Sequence, residues 1–379
     1  MYLFLALFAC YALLIIAYSF GWFSIRTWKR TGEKPSTKVS VIVPARNESE
    51  NIVSCLEGIS SQTYPESLYE IIVVDDSSDD NTVEVVKGLI SNSLLKNIRL
   101  IELSDKNIHG KKQAITEAIK VSTGDFIITT DADCRLTENW ISAIVEYYER
   151  YKPAMIAGPV CFTEGGNSFQ RMQGLEFLSL ISSGAAAMKL GMPIMCNGAN
   201  LAYEKEAFIE AGGYDANNKY TSGDDIFLML ALKKTSKRKI AFIKCMDAIV
   251  YTSPQPTLKN FTNQRKRWAS KSRGYADIAI VSVALLVFLF NLSLIASAVL
   301  ALLIKAFLPV FLIGFIVKIV VDFPILIGIT SFMKQKKLLL FYFPLQLIYP
   351  FYIILTACFG LFAKFEWKKR SYTVYGNKE

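Results

Sequence analysis

Residues 69–82 read YEIIVVDDSSDDNT. Four apolar residues, Ile71 to Val74, stop abruptly at two acids, and serines and acids then lead into a second apolar run from Val83 to Ile90. A short strand apolar on both faces, followed at once by a capped helix, is the βα unit of a parallel sheet. The pattern occurs first in KVSVIVPARNESENI (38–52), where Val39 to Val43 run into Pro44 and a helix is expected over 50–61. It returns as a strand in IRLIEL (98–103) and a helix over 110–121. A strand in DFIITTDADC (125–134), a helix over 138–151 and a strand in AMIAGPV (154–160) complete five β units. The expected class is therefore α/β, a Rossmann-like and mostly parallel sheet. Farther on, helices near 168–189, 205–211 and 224–234 and a strand near 240–251 are expected, but the pattern does not fix their order in space.

The two ends of the chain are different material. Of 379 residues, 52% are hydrophobic, more than an ordinary soluble protein carries. Residues 1–23, MYLFLALFACYALLIIAYSFGWF, hold no charged side chain and are long enough to span a bilayer. They lack a basic start and a small-residue cleavage site, which favours an uncleaved anchor over a signal peptide. Three more spans are expected at 278–304, 306–333 and 339–363. Arg26, Lys29 and Arg30, and again Arg265 to Arg273, flank the intervening region, which the positive-inside rule places in the cytoplasm of a multi-pass cell-membrane protein. The net charge of +9 is largely this membrane-edge feature, and no nucleic-acid motif accompanies it. The expected division is an anchor at 1–25, a catalytic domain at 36–275, a membrane region at 276–364 and a basic tail at 365–379. Seven scattered cysteines without a Cys-x-x-Cys pair suit a reducing compartment and argue against a disulfide framework or structural zinc. The single histidine, His109, leaves a carboxylate as the expected general base.

Open parallel sheets bind ligands beyond the carboxyl ends of their strands. Two strands here end in acids: Asp75 and Asp76, and Asp131 and Asp133. Asp79 and Asp80 read as helix caps. Capping does not account for crowded carboxylates at a strand end, but a shared cation does. Oxygen ligands without Cys or His point to a hard ion, Mg²⁺ or Mn²⁺, bridging a diphosphate. Neither a P-loop nor a Rossmann glycine fingerprint occurs.

Seven blocks now fall into one order: VIVPARNE, VVDDSS, HGKKQAI, TTDAD, CNGANLAYEKEAFIEAGGYD, SGDDIFL and QRKRW. In this the chain resembles the family 2 inverting glycosyltransferases of GT-A fold, over residues 38 to 273. The resemblance implies that Asp76, with Pro44, Arg46 and Glu48, lines the nucleotide pocket and that Lys111 lies beside it. The plain alternative for Lys111 is a helix-start lysine. It implies that Asp131 and Asp133 hold the metal and diphosphate, that Asn197, Gly198 and Asn200 line the acceptor side, and that Asp225 is the base. Asp224, also assigned to that side, suits a helix N-terminus, where the dipole favours acids. QRKRW supplies the family's Gln-x-x-Arg-Trp motif as Gln264, Arg267 and Trp268, expected to bind acceptor and diphosphate. An indole offers a flat face for a sugar, and a guanidinium can grip phosphate oxygens. A stop-transfer flank remains the reading for Lys271 and Arg273, and for Arg265 and Lys266.

The expected enzyme is a hexosyl- or N-acetylhexosaminyl-type transferase using a nucleotide sugar, UDP-linked by the resemblance, and a lipid or glycan acceptor. A processive polysaccharide synthase is the alternative, though four spans leave little material for a polymer channel. A catalytically silent scaffold and a transporter come from other classes. The first would be expected to lose carboxylates that are all present here, and the large motif-bearing domain disfavours the second. Lys318 and Asp322 are four apart in one span and are expected to pair. FQRMQGLEFLSLISSGAAAMKLG (169–191) suits either an interfacial helix or core packing. Pro344 and Pro350 interrupt the last segment, which either crosses and leaves Lys364, Lys368, Lys369 and Arg370 outside, or re-enters.

Overall fold

The computed structural model describes residues 1–92, 97–103, 110–214, 223–362, 365–368 and 370–372, so His109 lies outside the described residues. In chain order the helices are α1 (Tyr2–Ser24), α2 (Ile52–Ser60), α3 (Thr82–Ser91), α4 (Lys111–Val121), α5 (Trp140–Tyr151) and α6 (Ser168–Lys189). They continue as α7 (Lys205–Glu210), α8 (Asp224–Thr235), α9 (Leu258–Ser270), α10 (Ile278–Leu303), α11 (Leu308–Phe332) and α12 (Tyr342–Phe362). The strands are β1 (Val39–Ala45), β2 (Tyr69–Asp75), β3 (Ile98–Glu102), β4 (Phe126–Thr129), β5 (Arg135–Leu136) and β6 (Met155–Ala157). After them come β7 (Val160–Phe162), β8 (Leu201–Glu204), β9 (Ile240–Phe242), β10 (Val250–Thr252), β11 (Phe365–Trp367) and β12 (Arg370–Tyr372). The chain forms two compact units. One is Arg26–Thr163 with Met195–Ser253, and the other is Met1–Ile25, Glu164–Ile194 and Pro254–Glu379.

The first unit holds a seven-stranded sheet in the order β3-β2-β1-β4-β8-β6-β9. β1 pairs in parallel with β2 and β4, and β2 with β3, so the apolar runs of the sequence form the parallel core. Val41, Ile42, Val43 and Ile71 to Val74 are fully buried. β8 is the exception, antiparallel to both β4 and β6. It lies in LAYE, where no strand was expected. AMIAGPV is not one strand either: Gly158 and Pro159 part β6 in the large sheet from β7 in a three-stranded sheet ordered β5-β10-β7.

Residues 26–37 are strapped to α5 by two carboxylates. Glu146 accepts from Arg30 Nε (3.1 Å) and Thr31 N (2.7 Å), and Glu149 accepts from the backbone N–H groups of Ser36 and Thr37, both at 3.0 Å. Arg30 is thus more than a topological flank.

The second unit is helical. α1, α10, the stretch Lys305–Phe332 and the stretch Lys336–Gly360 are each long and apolar enough to cross a membrane. α1 packs on α11, α10 and α6. Small residues let these helices approach: a Cβ at Gly21 would stand 2.9 Å from the carbonyl oxygen of Ala186, and one at Gly314 2.5 Å from the Phe8 ring. α6 begins at a capping box between Asn167 and Gln170 and buries Leu175, Phe177, Leu178 and Ala185 to Ala187. Of its two readings, helix packing is the one observed. Lys318 Nζ does pair with Asp322 (2.6 Å), and Tyr11 of α1 donates to the same carboxylate (2.7 Å).

Candidate active site

In the α/β unit the strand-end acids divide the work. Asp75 is turned onto its own loop, accepting from Ser78 N at 2.9 Å. Asp76, 2% exposed, accepts from Gly110 N at 2.9 Å and so ties the end of β2 to the start of α4. Gly110 has φ +94°, a conformation that a side chain would strain. Arg46 is buried beneath this loop. Nη1 donates to the carbonyls of Asp76 and Ser77, and Nη2 pairs with Asp79 at 3.0 Å. Ser77 is held at φ +52°, and Ser77 Oγ donates to the Leu103 carbonyl at 2.8 Å. A non-glycine residue held in that region is the kind of strain found at ligand sites. Asp80 behaves as the cap expected of it, accepting from Thr82 N at 3.0 Å, whereas Asp79 is the partner of Arg46. Glu48 is nearly buried and accepts from Asn51 at 2.9 Å, while Pro44 sits in β1 opposite Val74.

At the first residue of α4 the chain delivers an ammonium to three motifs at once. Lys111 Nζ lies 2.6 Å from Asp131 Oδ1, 3.3 Å from Asp224 Oδ2 and 3.5 Å from the Gly198 carbonyl. Burial works to lower this lysine, but Asp131 and Asp224 outweigh it and hold its pKa above the usual value. Gly198 lies against this pair: a Cβ there would stand 2.9 Å from both Asp224 Oδ2 and Lys111 Nζ and would displace those side-chain ends. Asp225, the next residue of α8, accepts from Ile226 N at 2.8 Å. Asp224 does occupy the first turn of α8, but its carboxylate is spent on Lys111.

Asp133 is exposed, with Thr252 Oγ1 3.4 Å from its carboxylate. Among the described residues no three acids, histidines or cysteines gather as a closed cation cage. The neighbouring thiols of Cys55 and Cys134 are pushed up by burial, with the charges of Asp133 and Asp131 adding to the effect, so they are poor thiolate ligands. Two carboxylates and no soft donor fit a hard divalent ion that draws its remaining ligands from water and diphosphate. Asp131 and Asp133 are the residues that would hold it.

The Cys-Asn-Gly-Ala-Asn block splits. Asn197 folds into a local turn, accepting from Ala199 N at 2.9 Å. Asn200 corrects the expectation that it lines the acceptor side, since it is 1% exposed and its amide is fully engaged. Nδ2 donates to the carbonyls of Pro159 (2.9 Å) and Ala248 (2.8 Å), and Oδ1 accepts from Trp140 Nε1 (3.1 Å). It is an internal brace between loops.

In the helical unit QRKRW lies on α9. Gln264, Arg267 and Trp268 are half-buried, and Trp268 packs against Phe177 of α6 with ring centroids 6.2 Å apart. Here the flank reading of Arg265 is overturned. Arg265 is 2% exposed, pairs with Glu176 of α6, and lies over the rings of Phe261 (4.6 Å) and Trp268 (4.1 Å). Tyr352 of α12 donates to the other oxygen of Glu176 at 3.0 Å. Burial raises the Glu176 pKa against the pull of Arg265. The sequence pattern suggests only a flank for Arg265 and no role for Glu176, although Glu176 is the one acid in the otherwise apolar or neutral stretch 172–188. A buried acid of that kind calls for a partner.

Residues 40–212 match the family model Glycosyl transferase family 2. A curated relative, glycosyltransferase AglE of Haloferax volcanii, is 34% identical over 149 residues, 37% of this chain and 48% of the relative. The dolichyl N-acetyl-alpha-D-glucosaminyl phosphate 3-beta-D-2,3-diacetamido-2,3-dideoxy-beta-D-glucuronosyltransferase of Methanococcus voltae is 32% identical over 114 residues, 30% of this chain and 35% of the relative. The matched stretches thus span half or less of those relatives' lengths. Among solved structures, the mannosyltransferase PcManGT of Pyrobaculum calidifontis, in complex with GDP-Man and Mn²⁺, superposes with a TM-score of 0.59 at 18% identity. The superposition covers 94% of this chain and 97% of that one. The order of strands and motifs, the family match over residues 40–212 and this shared fold agree: in its α/β domain the chain is similar to glycosyltransferase family 2 and has the fold of that mannosyltransferase, and it carries four helices apolar enough to cross a membrane.

Proposed function

We propose that the protein transfers a sugar, with inversion, from a nucleotide sugar to a lipid or lipid-linked acceptor at the cytoplasmic face of the cell membrane. The observation that carries the proposal is the cluster in which Lys111 joins Asp131 to Asp224, with Gly198 against it and Asp225 beside it. Inversion by single displacement needs a base on the acceptor hydroxyl and positive charge on the departing diphosphate. Asp225 takes the hydroxyl proton, the acceptor oxygen bonds to the anomeric carbon, and the bond from that carbon to the diphosphate oxygen breaks. Lys111 takes part of the charge released. A divalent ion, when bound, would neutralise diphosphate oxygens, and Asp131 and Asp133 would hold it.

The loop braced by Arg46 and Asp76 is assigned to the nucleotide, with Pro44 and Glu48 at its edge, and Gln264, Arg267 and Trp268 to the acceptor. The relative from Methanococcus voltae supports a lipid-linked acceptor, since its name describes transfer to a dolichyl phosphate sugar.

The test is incubation of inverted membrane vesicles with radiolabelled UDP- and GDP-sugars, with and without chelator, followed by separation of lipid, polymer and free sugar. Label in the lipid fraction that disappears with chelator is expected. Label only in a high-mass polymer would establish the synthase reading instead, and full activity in excess chelator would remove the metal from the proposal.

A further inference from the structure

Arg265 is buried in a way that a flank residue would not be. Its Nη2 is committed to Glu176, yet Nε and Nη1 are buried without hydrogen-bond partners among the described residues. Leaving guanidinium donors dry and unpaired is unfavourable. The group is retained between two aromatic rings, with its Cζ 4.1 Å from the centroid of Trp268 and 4.6 Å from that of Phe261. A flat cation on an indole face fixes the plane of the ring as well as its place. Glu176 fixes the cation in turn, and Tyr352, whose hydroxyl reaches Glu176 at 3.0 Å and whose ring lies 5.9 Å from Phe261, fixes Glu176.

We propose that Arg265 is a positioning residue for the acceptor: held by Glu176 and Tyr352, its guanidinium sets the Trp268 ring in the orientation that receives the acceptor sugar. The inference rests on the assignment of Trp268 to the acceptor. It predicts that what matters at position 265 is the planar face. Charge alone is insufficient.

A purely structural ion pair can be replaced by apolar residues of similar volume with little loss of stability, whereas removal of one partner strands a buried charge. The informative variant is therefore the double substitution Glu176→Gln with Arg265→Met in the full chain, compared with Arg265→Lys and with the parent. Three quantities are measured: thermal stability in detergent, the near-ultraviolet circular dichroism of Trp268 (parent minus Trp268→Phe), and the kinetics of UDP-N-acetylglucosamine and GDP-mannose in inverted vesicles. The double variant should keep its stability and its donor hydrolysis while losing the Trp268 signal, with transfer down about tenfold or more. Arg265→Lys should fall between, with the acceptor KM raised and the donor KM unmoved.

A stable double variant with the parental Trp268 signal and parental transfer would overturn the proposal. If the parent itself transfers neither sugar, the assigned function fails, and the Trp268 signal alone then decides whether Arg265 positions the ring. Should the double variant not fold, Tyr352→Phe serves, since it keeps the ring and removes one hydrogen bond from Glu176. It is expected to weaken the Trp268 signal, and an unchanged signal would overturn the proposal.

Discussion

At the scale of single residues, the cluster around Lys111 gives two expectations. Asp225→Asn is nearly isosteric but cannot accept the hydroxyl proton, so donor binding should persist while transfer falls about 10²–10⁴-fold, the scale of a lost general base. A near-parental rate in single-turnover assays would take Asp225 out of the mechanism. Lys111 stands 2.6 Å from Asp131, where its ammonium competes with a divalent ion for the same carboxylate. Lys111→Met should therefore bind Mn²⁺ more tightly in the absence of donor, read as loss of free Mn²⁺ signal in an electron paramagnetic resonance titration. An unchanged or weaker affinity would mean that the lysine does not compete. Because the pKa of Lys111 is raised, any stability it contributes is complete below the ordinary lysine value of about 10.4 and is lost only as pH climbs past it, so acidification should not release it. The motifs named every member of this cluster. They could not show that Lys111 spans two of them, because spacing along the chain carries no information about which motif's carboxylate an ammonium will reach. Asn200 shows the converse: a residue inside a functional block can be a brace, and only its buried, saturated amide reveals it.

At the scale of elements, the parallel half of the sheet was legible because β1, β2 and β4 are apolar on both faces and end in polar turns. β8 was not, since four residues running antiparallel between two neighbours carry no period long enough to read. The break between β6 and β7 was hidden in the same way, with Gly158 and Pro159 inside what reads as one apolar run. Nor does a linker of mixed polar residues announce that it will be fastened to α5. Glu149 takes both the Ser36 and Thr37 amides and their hydroxyls, and these hydrogen bonds outweigh burial and lower its pKa. Glu149→Ala should release that end of the strap. Charge-assisted hydrogen bonds contribute about 1.5–3 kcal/mol each, so amide exchange at Ser36 and Thr37 should quicken by about tenfold or more. Unchanged exchange there, followed by mass spectrometry, would show that the strap is held by other contacts.

At the scale of the whole molecule, the question left by the sequence is which side of the membrane the basic residues after α12 occupy. Hydropathy gives a fourth stretch apolar enough to cross, and the contacts of α12 within the helical unit suggest an alternative to a crossing. Leu338, just before α12, stands 3.4 Å from where a Cβ on Gly174 of α6 would lie. α12 then meets α11 at its polar spot, where Tyr342 donates to the Ile319 carbonyl at 2.5 Å and Gln346 to Asp322 at 3.3 Å. Past Tyr352, which bonds Glu176 of α6, it runs along α9, and a Cβ on Gly360 would stand 3.0 Å from the Ala269 carbonyl. β11 packs on α9 as well. The start of α12 thus lies beside the middle of α11 and its later turns lie along α9, and a re-entrant segment whose polar groups are sheltered by protein is expected. On that reading Lys364, Lys368, Lys369 and Arg370 share a side with Lys334, Lys336 and Lys337, and the conflict with the positive-inside rule disappears. The expectation is tested with single cysteines in a background in which the exposed Cys10 and Cys358 are replaced. A membrane-impermeant maleimide added to intact cells should label Lys305→Cys, whereas Lys336→Cys and Lys368→Cys should react only after the cells are opened. Labelling of Lys368→Cys in intact cells would mean that α12 crosses and that its contacts with α9 do not fix its topology.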